Sequence, residues 1–203
     1  MKRKLVALIA LLAGLALAQT TDSHTVTVKI PSILQLTLDA TDYLFDFTDT
    51  TLDGSETVTV NSTAYTKASL AAYNTFIDTA TGTQDFAPTS VAGMSGADYG
   101  TVTVRTNRAQ WTVKINSISG TLTLGNDRVK VFAEKVSGKG ASWTTTPTPI
   151  TAASPLTLFN AGSGGQGKSE YKLYYLFEMD ISDDIPLSGI SQYITINLLL
   201  TSP

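Results

Sequence analysis

Residues Gly162-Ser-Gly-Gly-Gln-Gly-Lys168-Ser169 spell G-x-x-x-x-G-K-[ST]. In that pattern backbone amides, a lysine and a hydroxyl cradle nucleotide phosphates and their magnesium ion. The chemistry depends on what comes next. A helix must present its free N-terminal amides and positive dipole end to the phosphates. Here Glu170 to Ile181 follow, and Tyr171, Leu173, Tyr175, Phe177, Met179 and Ile181 recur at every second position. Wound as a helix they would scatter around the cylinder; as a strand they form one apolar face. The spacing predicts a glycine-rich turn entering a Tyr-rich strand, with Lys168 a solvated charge. It predicts no nucleotide and no other cofactor.

Oxygen ligation is the second candidate chemistry. Asp39, Asp42, Asp46, Asp49, Asp53 and Glu56 crowd one stretch, and hard carboxylate oxygens suit calcium. Asp49-Thr-Thr-Leu-Asp53-Gly lacks the alternating ligands of the twelve-residue calcium loop of helix-loop-helix proteins. The acids therefore read as turn residues and solvated strand faces. No metal site is assigned, and calcium at 39–56 stays open. Asp180, Asp183 and Asp184 form a sparser second group.

Nucleophilic catalysis lacks parts. The chain has one histidine, His24, and no cysteine. Gly93-Met-Ser95-Gly96-Ala97 departs from G-x-S-x-G at its last position, and no second histidine completes a triad. No catalytic residue is assigned. Among aromatic residues able to stack on sugar rings, Trp111 alternates with Val113 and Ile115 and reads as core. Trp143, in a Gly/Thr/Pro loop, is the exposed candidate, and Tyr174 lies opposite the apolar face of its strand.

The elements that must position these residues alternate almost throughout. Thr25–Ile30, Ile33–Leu38, Tyr43–Phe47, Glu56–Asn61, Gly100–Arg105, Gln110–Asn116, Arg128–Val136, Glu170–Ile181 and Gln192–Leu200 carry apolar residues at period 2. Gly100–Arg105 and Gln110–Asn116 are close enough for a hairpin. Thr66–Ile77 instead aligns Leu70, Tyr73 and Ile77 as one stripe of a short cross-over helix. About nine strands and one short helix predict an all-β, antiparallel, Ig-like β-sandwich.

Lys2-Arg-Lys4, an apolar run over 5–17 and the Ala16-Leu17-Ala18 site read as a secretory signal peptide over residues 1–18. Residues 19–203 then read as a single sandwich domain, touching the membrane only through the cleaved peptide. They keep 11 of the 14 basic side chains against 17 acidic ones, a formal charge near −6. That balance argues against nucleic acid as a partner. Without cysteine no disulfide supports the core.

Val102-Thr-Val-Arg-Thr-Asn107-Arg-Ala-Gln-Trp111-Thr-Val113 resembles the strand–Asn–Trp–strand segment of bacterial exported surface sandwiches. These are the WxL-type domains and the spore-coat-U or fimbrial-like families. Ile185-Pro-Leu-Ser-Gly189 through Tyr193 to Pro203 is similar to their closing strand. Together about 30 residues carry the likeness, while Trp111-Thr-Val is not Trp-x-Leu and the coat-U cysteines are absent. The resemblance implies an Ig-like sandwich displayed on the envelope or polymerised into fibres. The expected function is a secreted, non-enzymatic structural, adhesive or fibre-forming subunit, found in the periplasm, at the cell surface or outside the cell. Its expected partners are copies of itself or other envelope proteins, and assembly is by strand exchange. The alternative is a carbohydrate-binding module with a glycan partner.

Overall fold

The computed structural model describes residues 25–203 apart from 94–97, 144 and 163. Residues 1–18, read above as a signal peptide, His24 and Ser95 lie outside the described residues. The chain divides at Pro31/Ser32, and Ser32–Pro203 holds every sheet.

The spine is β12 (Gly167–Asp180), 14 residues long. On one side it pairs with β7 (Gly100–Thr106) and, further along, with β5 (Thr83–Phe86). On the other it pairs with β9 (Val129–Ser137). β1 (Leu34–Leu38) flanks β7, and β10 (Thr148–Pro149) flanks β9. A second sheet runs in the order β11 (Leu156–Asn160), β8 (Thr112–Ser119), β13 (Thr195–Thr201). Two small ribbons complete the strands: β2 (Ala40–Leu44) with β6 (Ser90–Gly93), and β3 (Thr57–Val60) with β4 (Thr63–Thr66). Every one of these strand pairings is antiparallel, and the fold is all-β.

The core lies between the six-stranded and three-stranded sheets. Val102, Val104, Tyr171 and Leu173 from the first meet Trp111, Val113, Ile115 and Phe159 from the second, all buried. Tyr171 and Phe159 stack with ring centroids 3.7 Å apart, and Phe159 meets Trp111 edge-on. β12 is apolar on its other face too. Tyr174 and Leu176 are buried against Val58, Val60 and Phe132. Covered on both faces, this strand reads as a nearly continuous apolar run.

Four sequence expectations are corrected. First, thirteen strands stand among the described residues, where alternation suggests about nine. The additions are mostly strands of two to five residues, too short to show a period.

Second, β7 and β8 are not a hairpin. β7 lies in the six-stranded sheet and β8 in the three-stranded one. The 107–111 connection arches between layers, because Val104 and Trp111 must face each other across one core. A hairpin would have placed them side by side.

Third, Thr25–Ile30 forms no strand, and Val26, Val28 and Ile30 are 73–79% exposed. Alternation makes a segment able to pair, but a strand exists only where a neighbour takes up its amides and carbonyls.

Fourth, the helix spans Leu70–Thr79 (α1) and buries Ala72 and Phe76, not the Leu70–Tyr73–Ile77 stripe. Ser69 caps it by accepting from the Ala72 amide. Phe76 goes under because its ring meets Phe86 edge-on, which leaves Leu70 and Ile77 on the outer side.

The glycine-rich loop enters a strand, as expected, and its role lies in packing. Trp111 Nε1 donates to the Gly165 carbonyl at 2.9 Å, and the Gly165 amide donates to Ala109 at 2.9 Å. A Cβ on Gly165 would collide with Trp111 Nε1 and Ala161 Cβ. The loop therefore closes on the indole through a residue without a side chain. Lys168 pairs with Glu170 at the surface, 2.8 Å apart. Gly165→Ala is expected to lower stability by about 1–3 kcal/mol, measured by chemical denaturation. Gly82→Ala, where an added Cβ meets nothing within 4 Å, serves as the near-neutral control.

Candidate functional site

The acids resolve first. Asp46 accepts from the amide and hydroxyl of Thr48, Asp49 from those of Thr51, Asp53 from those of Ser55, and Asp180 from those of Ser182. One device, Asp-x-Ser/Thr, thus recurs four times. Each carboxylate closes its own turn by mimicking a backbone acceptor. Hydrogen bonds from the Thr51 hydroxyl and amide hold Asp49 below the usual carboxylate range, and those from Ser55 do the same for Asp53. Among the described residues no group of three His, Asp or Glu gathers as a metal set. Spacing in the sequence, Asp followed two residues later by Ser or Thr, carried this signal.

Of the second acidic group, Asp183 belongs to an ion-pair row beside three strands. Lys130 Nζ lies 2.8 Å from Asp85 and 2.6 Å from Glu178. Arg128 reaches Asp183 at 2.9 Å and Glu178 at 3.5 Å. Burial pulls the Lys130 pKa down, and the hydrogen bonds that its ammonium donates to Asp85 and Glu178 outweigh it, so its pKa is raised. The row ties β5, β12 and β9 together.

Two concavities stand out among the described residues. The larger, about 640 Å³, is an apolar groove. Three strands cannot cover six, and the groove is the shortfall. Its floor is Tyr43, Phe45, Tyr175 and Phe177; one wall is Ile196 and Leu198 of β13. Tyr43 and Tyr175 meet edge-on at 4.8 Å. The Tyr43 hydroxyl donates to the Leu173 carbonyl and accepts from the Gly100 amide. Ile196, Leu198 and Leu200 point to the core yet stay only partly buried. β13 pairs with β8 alone, so among the described residues its other edge carries no strand. Ile190 and the 86%-exposed Tyr193 form the rim, and Leu187 stands fully exposed nearby in sequence.

The smaller concavity, about 540 Å³, is polar and lies over the outer face of β9 and β12. Trp143, Tyr174, Glu134, Lys172 and Asn61 line it. Tyr174 donates to Glu134 at 3.1 Å, and Lys172 sits 4.9 Å over the Tyr99 ring. Trp143 is half-buried against Phe132. Its indole N–H is buried and meets no acceptor among the described residues. Trp111 by contrast is core, as its alternation predicts. Tyr174, read as standing opposite an apolar face, is buried beneath the β3–β4 ribbon. That ribbon turns through Asn61 and Ser62 at positive φ of 50° and 67°, the two-residue turn whose twist matches its strands.

Compared with known protein families, with characterised proteins and with solved structures, the chain finds no match. Among the described residues no helix is long and apolar enough to cross a membrane.

Four phenols are buried or half-buried: Tyr171 in the core, Tyr43 and Tyr175 at the groove, and Tyr174 under the β3–β4 ribbon. Burial raises those of Tyr43, Tyr174 and Tyr175 well above the ordinary value, and that of Tyr171 to about 12. The unfolded chain releases these protons near pH 10, while the fold retains them. Their contribution is therefore full below about pH 10 and is lost as pH rises through the folded values. The melting temperature should stay level from pH 7 to about pH 9 and fall steeply above about pH 10. Circular dichroism melts check this, and a level curve to pH 12 would refute it.

Proposed function

We propose that the chain is an exported, non-enzymatic subunit of the cell envelope, structural or adhesive, that associates through its open sheet edge. The observation that carries this reading is the apolar groove flanked by β13, an edge strand whose inward side chains its own fold leaves half covered. Exposed edges and contiguous apolar patches are where sheet proteins take partners. The n-region, apolar run and Ala-Leu-Ala site at the N-terminus support export. The likeness of 102–113 and 185–203 to envelope sandwiches points the same way. Copies of the chain or other envelope proteins are the partners this reading requires.

A second reading rests on Trp143. A half-buried indole beside Glu134 and Lys172 in a polar hollow offers a stacking face suited to a sugar ring, with polar groups at its side.

Immunogold labelling of intact source cells and sedimentation of the native protein test the first reading. Label on the envelope and species larger than a monomer are expected; label confined to the cytoplasm would refute it. A glycan array tests the second. A specific glycan whose affinity drops at least about tenfold in Trp143→Ala would support it, and a blank array removes it.

A further inference from the structure

We propose that the groove beside β13 receives the segment Thr25–Ile30 of a second copy, which adds to the sheet as a strand next to β13. The inference rests on the self-associating reading above and names its occupant. Val26, Val28 and Ile30 occupy alternate positions, stand exposed and belong to no sheet. Placed beside β13 they would form one row of three side chains against Ile196 and Leu198. Thr25, Thr27 and Lys29 would face out. Six extended residues span about 20 Å, close to the length of the seven-residue β13. Among the described residues Asp42 is the one charged residue lining the groove, and Lys29 is the one charge on the segment.

Two features make the donor a second copy. The tightest self-pairing would be a hairpin with β1 through Pro31-Ser32. Two-residue hairpins use turns with positive φ at the first loop position, and proline is fixed near −65°. Parity forbids it independently. That hairpin would set Ile30 opposite Ile33, Val28 opposite Gln35 and Val26 opposite Thr37. All three would then lie on the face away from Leu36, the β1 residue packed on the core.

The test uses the exported full chain. Sedimentation velocity over a concentration series compares wild type, Val28→Lys and the outward-facing control Thr27→Lys. Val28 is exposed and lies outside the sheets, so both variants should fold, as circular dichroism verifies. Wild type and Thr27→Lys are expected to assemble, and Val28→Lys to stay monomeric. A peptide of residues 24–31 should bind the Val28→Lys chain and slow amide hydrogen exchange along β13. The same peptide carrying lysine at 28 should bind at least about tenfold more weakly. Assembly persisting in Val28→Lys with β13 unprotected would overturn the strand–groove pairing while leaving self-association intact. A wild type that stays monomeric with β13 already protected would assign the groove to the chain's own segment and overturn the second-copy donor. A wild type that is monomeric and whose β13 the peptide does not protect would overturn both readings.

Discussion

The fold hangs on one constraint: β12 is buried on both faces. Its odd-numbered residues from Tyr171 to Tyr175 lie in the inter-sheet core, and Tyr174 and Leu176 lie under the β3–β4 ribbon. A strand so placed needs neighbours on both edges for its amides and carbonyls, and β7, β5 and β9 supply them. It also needs cover above and below. The three-stranded sheet gives the first, and the ribbon gives the second, with α1 covering Phe86 and Met179 toward the end of the strand. Where that cover runs short, beside Phe177 and Tyr175, the groove appears. Fold and candidate site are consequences of the same burial.

The ion-pair row fits this picture. Asp85 and Glu178 stand directly opposite each other on β5 and β12, and Lys130 of β9, paired two residues away at Leu176, reaches both carboxylates and offsets their repulsion. Salt would screen only its exposed fraction. Its role is to fix β5, the shortest partner of the spine, at the end that β7 does not reach. The Asp-x-Ser/Thr turns act similarly at smaller scale, giving short connections internal acceptors in place of water.

Much of the architecture was legible in the chain. The period-2 run at 170–181 identified the spine and dismissed the phosphate loop, because that mechanism resides in a helix the residues cannot form. Trp111 was legible as core from its neighbours Val113 and Ile115. What alternation cannot carry is partnership. It shows that Val104 and Trp111 each face inward, without showing that they face each other from different sheets. It marks Thr25–Ile30 as able to pair, without supplying a partner. On α1, Leu70, Tyr73 and Ile77 share a stripe with the right spacing, but the aromatic cluster around Phe86 draws Phe76 inward instead. The groove was invisible for the same reason: it arises from a mismatch in strand number between layers, a property no single segment contains.

Ser32 and Pro203 bear on how the domain would behave under load. The Ile33 amide donates to the Asn107 side chain, and Arg108 donates to the Pro203 carbonyl, so both ends of the domain emerge at the 107–108 arch. Each terminal strand is an edge strand of a different sheet. Tension between these two ends would open the β1–β7 and β13–β8 ladders rung by rung from the same end, a peeling geometry of low mechanical resistance. Force applied along the length of β13 would meet all of its rungs in shear at once. The domain is anisotropic as a material, weak along its covalent path and stiffest along the axis of its open strand.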